Sequence, residues 1–302
     1  MHLNRTDLAD FLYFLAIARH HSFRRAALEM GVTTSALSHA ITALEARRGV
    51  RLLNRTTRSV TLTAAGEELK ASIEGPLAVV SEAAENLNRF RDSPAGRVRI
   101  NVLEDAVPLL LNPVMPAFVE RYPEVEVDIS VSNRLVDVIE GGFDAGIRYG
   151  GTVPEDMIAQ RVSPDIRWLA AASPSYLERY GTPLTPHDLQ GHRCIRIRLG
   201  NDQLYQWEFE QGEETISIAT PGPLTVDASH ASIGLGLGAV GIIYGAEPVL
   251  RSHIATGALT VVLSDWATMG SGFHAYYSSR RQVPTALRLL IDLIREIRPL
   301  GG

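Results

Sequence analysis

The sequence of 302 residues contains a single cysteine, Cys194. Without a second thiol the chain cannot form an intramolecular disulfide, which excludes a disulfide-stabilised scaffold and a sensor that switches by closing such a bond. Unpaired cysteines are most often buried and behave as small apolar side chains. We therefore expect Cys194 to be an inert residue of the core.

Long apolar segments are also missing from the sequence. No run of about 18 apolar residues occurs, which argues against a transmembrane helix and against a membrane partner. Residues 1–5 lack the basic region followed by an apolar segment that marks a secretion signal. We expect a soluble, cytoplasmic protein whose length suits one small and one larger domain.

No arrangement of residues typical of catalysis is found. The nine histidines show no HExxH motif or other close metal-ligand spacing, and His187 and His192 lie five residues apart in a predicted loop. Ser229 and His230 are neighbours in sequence rather than members of a triad, and no Gly-x-Ser-x-Gly elbow occurs. We therefore predict that the protein is not an enzyme and has no catalytic residue, bound metal or cofactor.

Three glycines, Gly236, Gly238 and Gly241, match the GxGxxG spacing of a dinucleotide-binding loop, and Asp265 could act as its acidic partner. That loop needs a strand before the first glycine and a helix after the last. Here a helix-like run from Ser229 precedes the glycines, and strand-like residues 242–244 follow them. The reversed order predicts close helix packing rather than nucleotide binding.

Positive charge is concentrated near the N-terminus. Residues 1–62 contain nine arginines and four acidic residues, a net charge of +5, whereas the other 240 residues carry 20 basic and 30 acidic residues, a net charge of -10. This asymmetry indicates that the first 62 residues meet a polyanion, while the acidic remainder has another task.

Residues 1–62 are predicted to form three helices followed by a β-hairpin. Apolar spacing predicts the helices at 7–18, 23–30 and 35–48, and strand-like residues 51–54 and 59–62 predict the hairpin. The N-caps are expected to be Asp7, Ser22 and Thr33 or Thr34, and Gly31 and Gly49 are expected to end helices. The pattern is typical of a winged helix-turn-helix.

This motif predicts two kinds of DNA contact. Short polar side chains on the third helix would reach base edges in the major groove, and arginines of the second helix and the wing would clamp phosphates. Taken singly, these residues could be ordinary helix caps and solvated arginines. Combined with the hairpin and the charge asymmetry, they predict a DNA interface formed by Arg24, Arg25, Thr33, Thr34, Ser35, Ser38, His39, Arg55, Thr57 and Arg58.

Residues 63–92 predict a long linker helix capped by Thr63. It would span roughly 40 Å at about 1.5 Å per residue, with a kink at Gly75 and Pro76. Its apolar positions alternate four- and three-residue steps, a seam suited to pairing with a second copy of the chain. These positions are Ile73, Leu77, Val80, Ala84 and Leu87. The linker is expected to end at the loop-like residues 92–96.

Strands and helices alternate from residue 97 onward. We predict strands at 98–103, 125–132 and 145–149 with helices at 107–122 and 135–140, and then a second set with strands at 168–172 and 194–198 around a helix at 175–180. A closing helix at 284–297 is expected to return to the first lobe. The alternation predicts mainly parallel sheets and a ligand at the carboxyl ends of strands.

These segments resemble the LysR-type transcriptional regulators. The resemblance is strongest in residues 26–27, 32–41, 44–45, 49–55 and 62–66, and it continues in 143–150, 172–177 and 234–242, so that it covers essentially the whole chain. It departs from many members at Thr34 and Ser35, which replace a Gln-Pro pair, and at His39, which replaces a basic residue. Because these positions face the bases, an operator sequence is not carried over.

The resemblance implies an α/β protein overall. Its parts are a mainly α winged helix-turn-helix domain at 1–62, a linker helix at 63–92, and a two-lobed α/β effector-binding domain like a periplasmic binding protein at 96–302. Lobe I would comprise 96–165 and 270–302, and lobe II 166–269. The implied protein is a homodimer or homotetramer that binds double-stranded promoter DNA, responds to a small-molecule metabolite and acts on RNA polymerase.

By resemblance the effector lies between the lobes. A helix beginning near Asp105 would offer N–H groups to an anion, but two carboxylates already occupy that end. We therefore expect a neutral, zwitterionic or cationic ligand, or a cleft in which Arg148 pairs with Glu104 and little binds. Helix capping by the two acids and a structural ion pair of Arg148 are the alternatives. The implied effector residues are Glu104, Asp105, Ala106, Ser132, Arg148, Arg198 and Asp227.

Two other functions compete with an effector-responsive regulator. A solute-binding protein would use the two lobes for transport, but it requires a secretion signal and has no use for a DNA-binding domain. A repressor that acts without any effector is also compatible with the sequence.

Overall fold

The computed structural model describes residues 5–55, 60–86, 94–139, 141–154, 157–278 and 283–301. The chain divides into two compact units, one containing Met1–Phe90 and the other containing Arg91–Ile139 and Phe143–Gly302. Among the described helices, none is both long enough and apolar enough to cross a membrane.

The first unit contains the three predicted helices, the hairpin and the linker helix. Ser22 and Thr33 cap the second and third helices by accepting hydrogen bonds from the amides of Arg25 and Ala36, and Gly49 ends the third helix at a φ of 67°. The elements are α1 (Arg5–His20), α2 (Phe23–Glu29), α3 (Thr34–Arg48), β1 (Leu53–Arg55), β2 (Val60–Leu62) and α4 (Ala64–Asn86). The two strands pair antiparallel.

Asp7 has a different role from the predicted N-cap. It lies inside α1, is only 3% exposed, and accepts hydrogen bonds from Arg47 at 3.2 Å and Arg48 at 2.7 Å. Asp10 pairs with the same Arg47. The expectation of a cap is therefore wrong, because these carboxylates join α1 to the basic end of α3.

The linker helix α4 continues through Gly75 and Pro76, with helical residues on both sides. Ile73 and Leu77 of the predicted seam pack partly against the core of the first unit, whereas Val80 is 64% exposed. The side chain of Ala84 and the whole of Leu87, like the predicted linker end at 92–93, fall outside the described residues. Of the three seam side chains that the structure describes, Val80 is thus the one that is mainly exposed.

The second unit contains thirteen described strands and five described α-helices, and α5 follows a π-helical turn, Val107–Leu111. In chain order they are β3 (Ala95–Val102), α5 (Asn112–Arg121), β4 (Glu124–Val131), β5 (Ala145–Tyr149), β6 (Met157–Arg161), β7 (Ile166–Ala172), α6 (Pro174–Tyr180), β8 (Ile195–Ile197), β9 (Trp207–Gln211), β10 (Glu214–Ile218), β11 (Leu224–Val226), α7 (Ser229–Leu237), β12 (Ile243–Ala246), α8 (Glu247–Ala255), β13 (Thr260–Val262), β14 (Thr268–Gly270), β15 (Phe273–Ser278) and α9 (Thr285–Ile297).

Two lobes are built on separate sheets. The sheet of the first lobe has the order β4-β3-β5-β15-β6, and α9 packs on it as predicted, with Leu290 and Ile294 in the shared core. In the second lobe β7 is the central strand and pairs with β12, β13 and β14. Smaller pairs, β8 with β11 and β9 with β10, complete this lobe.

The prediction of mainly parallel sheets is wrong for the second lobe. All three partners of β7 run antiparallel to it. Among the described residues, the parallel pairs are β3 with its two neighbours, β8 with β11, and a single bridge between Cys194 and Ile242. The strands β13 and β14 run in the same direction along successive parts of β7 and are joined by a 3-10 turn. Periodicity along one strand carries no information about the direction of its neighbour.

The helix predicted at 135–140 is not formed in the described residues of that segment. The amide of Leu135 donates to the carbonyl of Gly200, and the side chain of Asp137 accepts from the amide of Ile139 at 2.7 Å. These bonds use backbone groups that a helix would need. The chain therefore runs irregularly from β4 towards β5.

The glycine-rich segment confirms the predicted order of helix and then strand. Gly236 lies in α7, where an added Cβ would be 2.8 Å from the side chain of Ile243. A Cβ on Gly241 would lie 2.4 Å from the carbonyl oxygen of Arg193. Close packing explains these two glycines. Cys194 is buried as expected, and burial raises the pKa of its thiol to about 12.

Candidate functional site

The first candidate site is the exposed face of α3. Leu37, Ile41 and Leu44 on the opposite face are fully buried, and α2 crosses the helix at the small buried residues Ala26 and Ala27. The remaining face is polar and accessible, and Ser38 is half-buried. The predicted contact residues that lie exposed on α2 and α3 or at the cap between them are Arg24, Arg25, Thr33, Thr34, Ser35 and His39.

Arg55 lies against this face. Its Nη1 donates to the hydroxyls of Ser38 at 3.2 Å and Thr42 at 3.4 Å, and its Nη2 is 3.2 Å from a carboxylate oxygen of Glu45. The guanidinium also sits over the ring of Phe23, 4.9 Å from its centroid. The structure thus brings Arg55 and Ser38 together, while Thr57 and Arg58 of the predicted wing tip fall outside the described residues.

Glu45 was not among the predicted site residues, although it anchors the hairpin. One oxygen accepts hydrogen bonds from the amides of Leu52 at 2.8 Å and Leu53 at 3.1 Å, while the other faces Arg55. Its side chain is 15% exposed. The backbone amides it binds lie seven and eight residues away, so no helical pattern in the sequence reveals the contact.

The second candidate site is a cavity of about 240 Å³ in the second unit. Residues of both lobes line it, including Leu103 and Tyr149 from the first lobe and Trp168 and Tyr244 from the second. A concave, largely apolar cavity with a few polar groups is typical of a small-molecule site. Four of the predicted effector residues line it: Asp105, Arg148, Arg198 and Asp227.

Three predicted effector residues are not among those that line the cavity. Ala106 is fully buried in the core of the first lobe. Ser132 contributes its backbone carbonyl to Arg148, and its hydroxyl accepts from the amide of Arg134. Glu104 makes contacts across the cleft.

Glu104 caps a helix of the other lobe. Its carboxylate accepts from the amides of Ser229 at 3.2 Å and His230 at 3.3 Å, which begin α7, and it contacts the ring of His230. Asn133 donates both to Glu104 and, at 2.7 Å, to the carbonyl of Asp227. A negative charge at a helix N-terminus compensates the helix dipole. The alternative that the two acids cap the helix following them is therefore wrong: the turn at Val107–Leu111 has no side-chain cap, and Glu104 caps α7, 125 residues away.

Arg148 does not pair with Glu104, so that prediction is wrong. It is 3% exposed, and its terminal nitrogens donate to the carbonyls of Asn101, Ile147, Ser132 and Arg134 at 2.9 to 3.3 Å and contact the side chain of Asn101. Burial lowers the pKa of the guanidinium. It is held by carbonyls near the carboxyl ends of β3 and β4, so the expected structural ion pair is also wrong.

Asp105 is a buried carboxylate in the cavity wall. It is 5% exposed, and its Oδ2 accepts hydrogen bonds from Tyr149 at 2.9 Å and from the hydroxyl of Ser229 at 3.0 Å. Burial raises the pKa of this carboxyl above its ordinary value. Among the described residues it has no ion-pair partner.

Aromatic rings line one side of the cavity and were missing from the prediction. The ring of Trp168 lies 5.1 Å from that of Tyr149, edge to face, and 5.7 Å from that of Tyr244, stacked. Tyr149 is the last residue of β5, next to Arg148. The rule that ligands meet the carboxyl ends of strands could have identified it.

A three-helix unit with a hairpin wing, followed by two α/β lobes around a cavity, defines a DNA-binding regulator with a ligand-binding domain. Comparison with known families agrees with this class. Residues 8–67 match the model of the bacterial regulatory helix-turn-helix protein, lysR family, and residues 91–298 match the LysR substrate binding domain. The chain belongs to the LysR family of transcriptional regulators, with a helix-turn-helix DNA-binding domain and an effector-binding domain.

Individual relatives support the assignment over the full length. The chain is 36% identical over 291 residues to the transcriptional regulator YcaN of Escherichia coli, covering 96% of this chain and 95% of YcaN. It is 32% identical to PgrR of the same organism, covering 97% and 98%. The structure of CrgA from Neisseria meningitidis matches with a TM-score of 0.60 and 27% identity, covering 98% of this chain and 99% of CrgA.

Proposed function

We propose that the protein binds double-stranded promoter DNA through α3 and that a small metabolite in the cavity modulates this binding. Thr33, Thr34, Ser35, Ser38 and His39 are assigned to base edges. The assigned phosphate contacts are Arg24, Arg25, Arg55 and Arg58, with Thr57 beside them on the wing. The hydrogen bond between Ser38 and Arg55 on the accessible face of α3 is the observation that carries the proposal.

Physical arguments support this assignment. The face of α3 opposite its buried stripe offers hydroxyl groups with little bulk, which suits contact with base edges in a major groove. The net charge of +5 in residues 1–62 supplies the attraction to phosphates. Asp105, Arg148, Arg198 and Asp227 are assigned to the effector cavity that they line.

The finer organisation belongs to the same proposal. We assign DNA binding to 1–62, pairing of copies to 63–92 and effector binding to 96–302, in a cytoplasmic homodimer or homotetramer without enzymatic activity. The exposed Val79 and Val80 of α4 offer apolar surface for the pairing. RNA polymerase is the further partner through which a promoter-bound regulator would act.

Genome-wide DNA capture with the purified full-length protein tests this function. We expect enrichment of a short inverted repeat, with binding that weakens as salt rises. Arg55→Ala should reduce binding at all captured sites, and Ser38→Ala should change the base preference. Arg251→Ala, an exposed arginine of α8 in the second unit, is the matched control and should leave the captured sites unchanged. Weak binding that only follows salt, without an enriched site, would overturn the proposal.

A further inference from the structure

Asp105 is a charged group of the cavity with incomplete hydrogen bonding. Both of its side-chain hydrogen bonds, from Tyr149 and Ser229, go to Oδ2, and no described residue donates to Oδ1. The residue is only 5% exposed, yet it lines the cavity. A buried carboxylate is costly unless a donor or a positive charge completes its surroundings. Oδ1 is therefore open to the cavity and can accept a hydrogen bond from a ligand bound there.

The groups that would attract an anion are already used. Glu104 accepts hydrogen bonds from the first two amides of α7, so this helix N-terminus is filled by the protein itself. The terminal nitrogens of Arg148 are bonded to carbonyls, and its Nε is sealed from solvent. At the exposed edge, Arg198 donates to the carbonyl of Asp202, and the lining also contains the acidic Asp227. Among the buried charged groups of the described lining, Asp105 is thus the one that keeps a free acceptor atom, Oδ1, open to the cavity.

The rest of the lining fits the body of such a ligand. Tyr149, Trp168 and Tyr244 form an aromatic wall, and Leu103 and Ile233 add aliphatic surface. Aromatic faces attract cations and also bury apolar skeletons. Ser232 supplies a buried hydroxyl that has no hydrogen-bond partner among the described residues.

We infer that the effector is a small amine on a compact apolar or aromatic skeleton, with its ammonium group bound to Asp105. This inference rests on the proposed role of the cavity as the effector site. The ammonium completes the hydrogen bonding of Oδ1 and supplies the missing counter-charge. The skeleton lies against Trp168 and its neighbours. Without a cation in place, burial raises the pKa of the carboxyl.

Calorimetric titration of the full-length protein with 2-phenylethylamine, 2-phenylethanol and phenylacetate tests the inference, because these probes combine one ring with a cationic, neutral or anionic end. We expect the amine to bind most tightly and phenylacetate least. Asp105→Asn should weaken binding of the amine by about thirtyfold or more, the low end for removing one partner of a buried charge pair. Asp128→Asn removes the same charge from the surface of β4 and should leave the affinity unchanged.

Each contrary outcome overturns the inference. These outcomes are tighter binding of phenylacetate than of the amine, equal affinity of the amine for wild type and Asp105→Asn, and no heat with any of the three probes. The ranking in the wild-type protein does not depend on whether a variant folds. The titration contains no DNA, so a negative result there does not affect the evidence for DNA binding. A capture experiment that enriches no site would overturn the regulator function, regardless of how the three probes bind.

Discussion

The Nη1 atom of Arg55 lies 3.2 Å from the hydroxyl oxygen of Ser38, so the first strand of the hairpin is hydrogen-bonded to α3. The same guanidinium faces Glu45 and the ring of Phe23. The hydroxyl that we assign to base edges and the arginine that we assign to phosphates are thereby joined in one network. Substituting either of them changes the surroundings of the other.

We predict that Ser38→Ala and Arg55→Ala are not additive in DNA affinity. Residues that share a hydrogen bond couple by about 0.5–3 kcal/mol, whereas independent sites add. Fluorescence anisotropy on a captured operator, with the two single variants and the double variant, measures this coupling. The pair Ser38→Ala and Arg25→Ala is the control, because no hydrogen bond joins those two side chains. If the effects of the single variants on DNA affinity add up to that of the double variant for both pairs, the coupling is refuted.

Glu45 should control the stability of the hairpin. Glu45→Ala leaves the amides of Leu52 and Leu53 without their acceptor, and an unsatisfied buried group costs about 1–3 kcal/mol. We expect hydrogen exchange at these two amides to accelerate about tenfold or more, measured on the full-length protein. Glu68→Ala, an exposed acid of α4, is the control. Unchanged exchange in Glu45→Ala would show that the carboxylate does not hold the strand.

Local chemistry made much of the first unit predictable. Ser22, Thr33 and Gly49 act at helix ends through hydrogen bonds and a left-handed backbone within a few residues of themselves. The same local rules failed at Asp7, because its partners Arg47 and Arg48 lie 40 and 41 residues away. A carboxylate near a helix start looks the same in sequence whether it caps that helix or pairs with another.

The cavity was predictable only in part, for a related reason. The family resemblance implied Asp105 and Arg148, and both line the cavity. It could not assign partners, since Glu104 binds Ser229 across 125 residues and Arg148 binds carbonyls instead of an acid. Sequence separation conceals such contacts, and they decide which charges in the cavity remain available.

Glu104 should stabilise the start of α7 and with it the contact between the lobes. Loss of a capping side chain costs about 0.5–2 kcal/mol. We therefore predict that Glu104→Ala accelerates hydrogen exchange of the amides of Ser229 and His230 about threefold or more. Glu213→Ala, in an exposed turn of the same lobe, should have no effect there. Exchange at the wild-type rate in Glu104→Ala would contradict the capping role.

Asp105 should make the stability of the ligand-free second unit depend on pH. Its pKa in the folded protein is raised by burial above the ordinary value of 3.8, so as pH rises the unfolded chain releases this proton first. The contribution of Asp105 to stability is therefore fully present below pH 3.8 and is lost as pH rises towards the folded pKa. Asp105→Asn does not titrate and keeps an oxygen that can accept from Tyr149 and Ser229.

We accordingly predict that Asp105→Asn becomes more stable relative to the wild type as pH increases above 3.8. Tryptophan fluorescence during urea unfolding follows this change in the second unit, because Trp168, Trp207 and Trp266 all lie there. Asp128→Asn, which alters a surface carboxylate of the same lobe, should not reproduce the trend. The contrary result is a difference in the free energy of unfolding between wild type and Asp105→Asn that stays constant or reverses as pH rises. It would mean that the buried carboxylate already has its counter-charge within the protein. The case for an amine at this position would then fall as well.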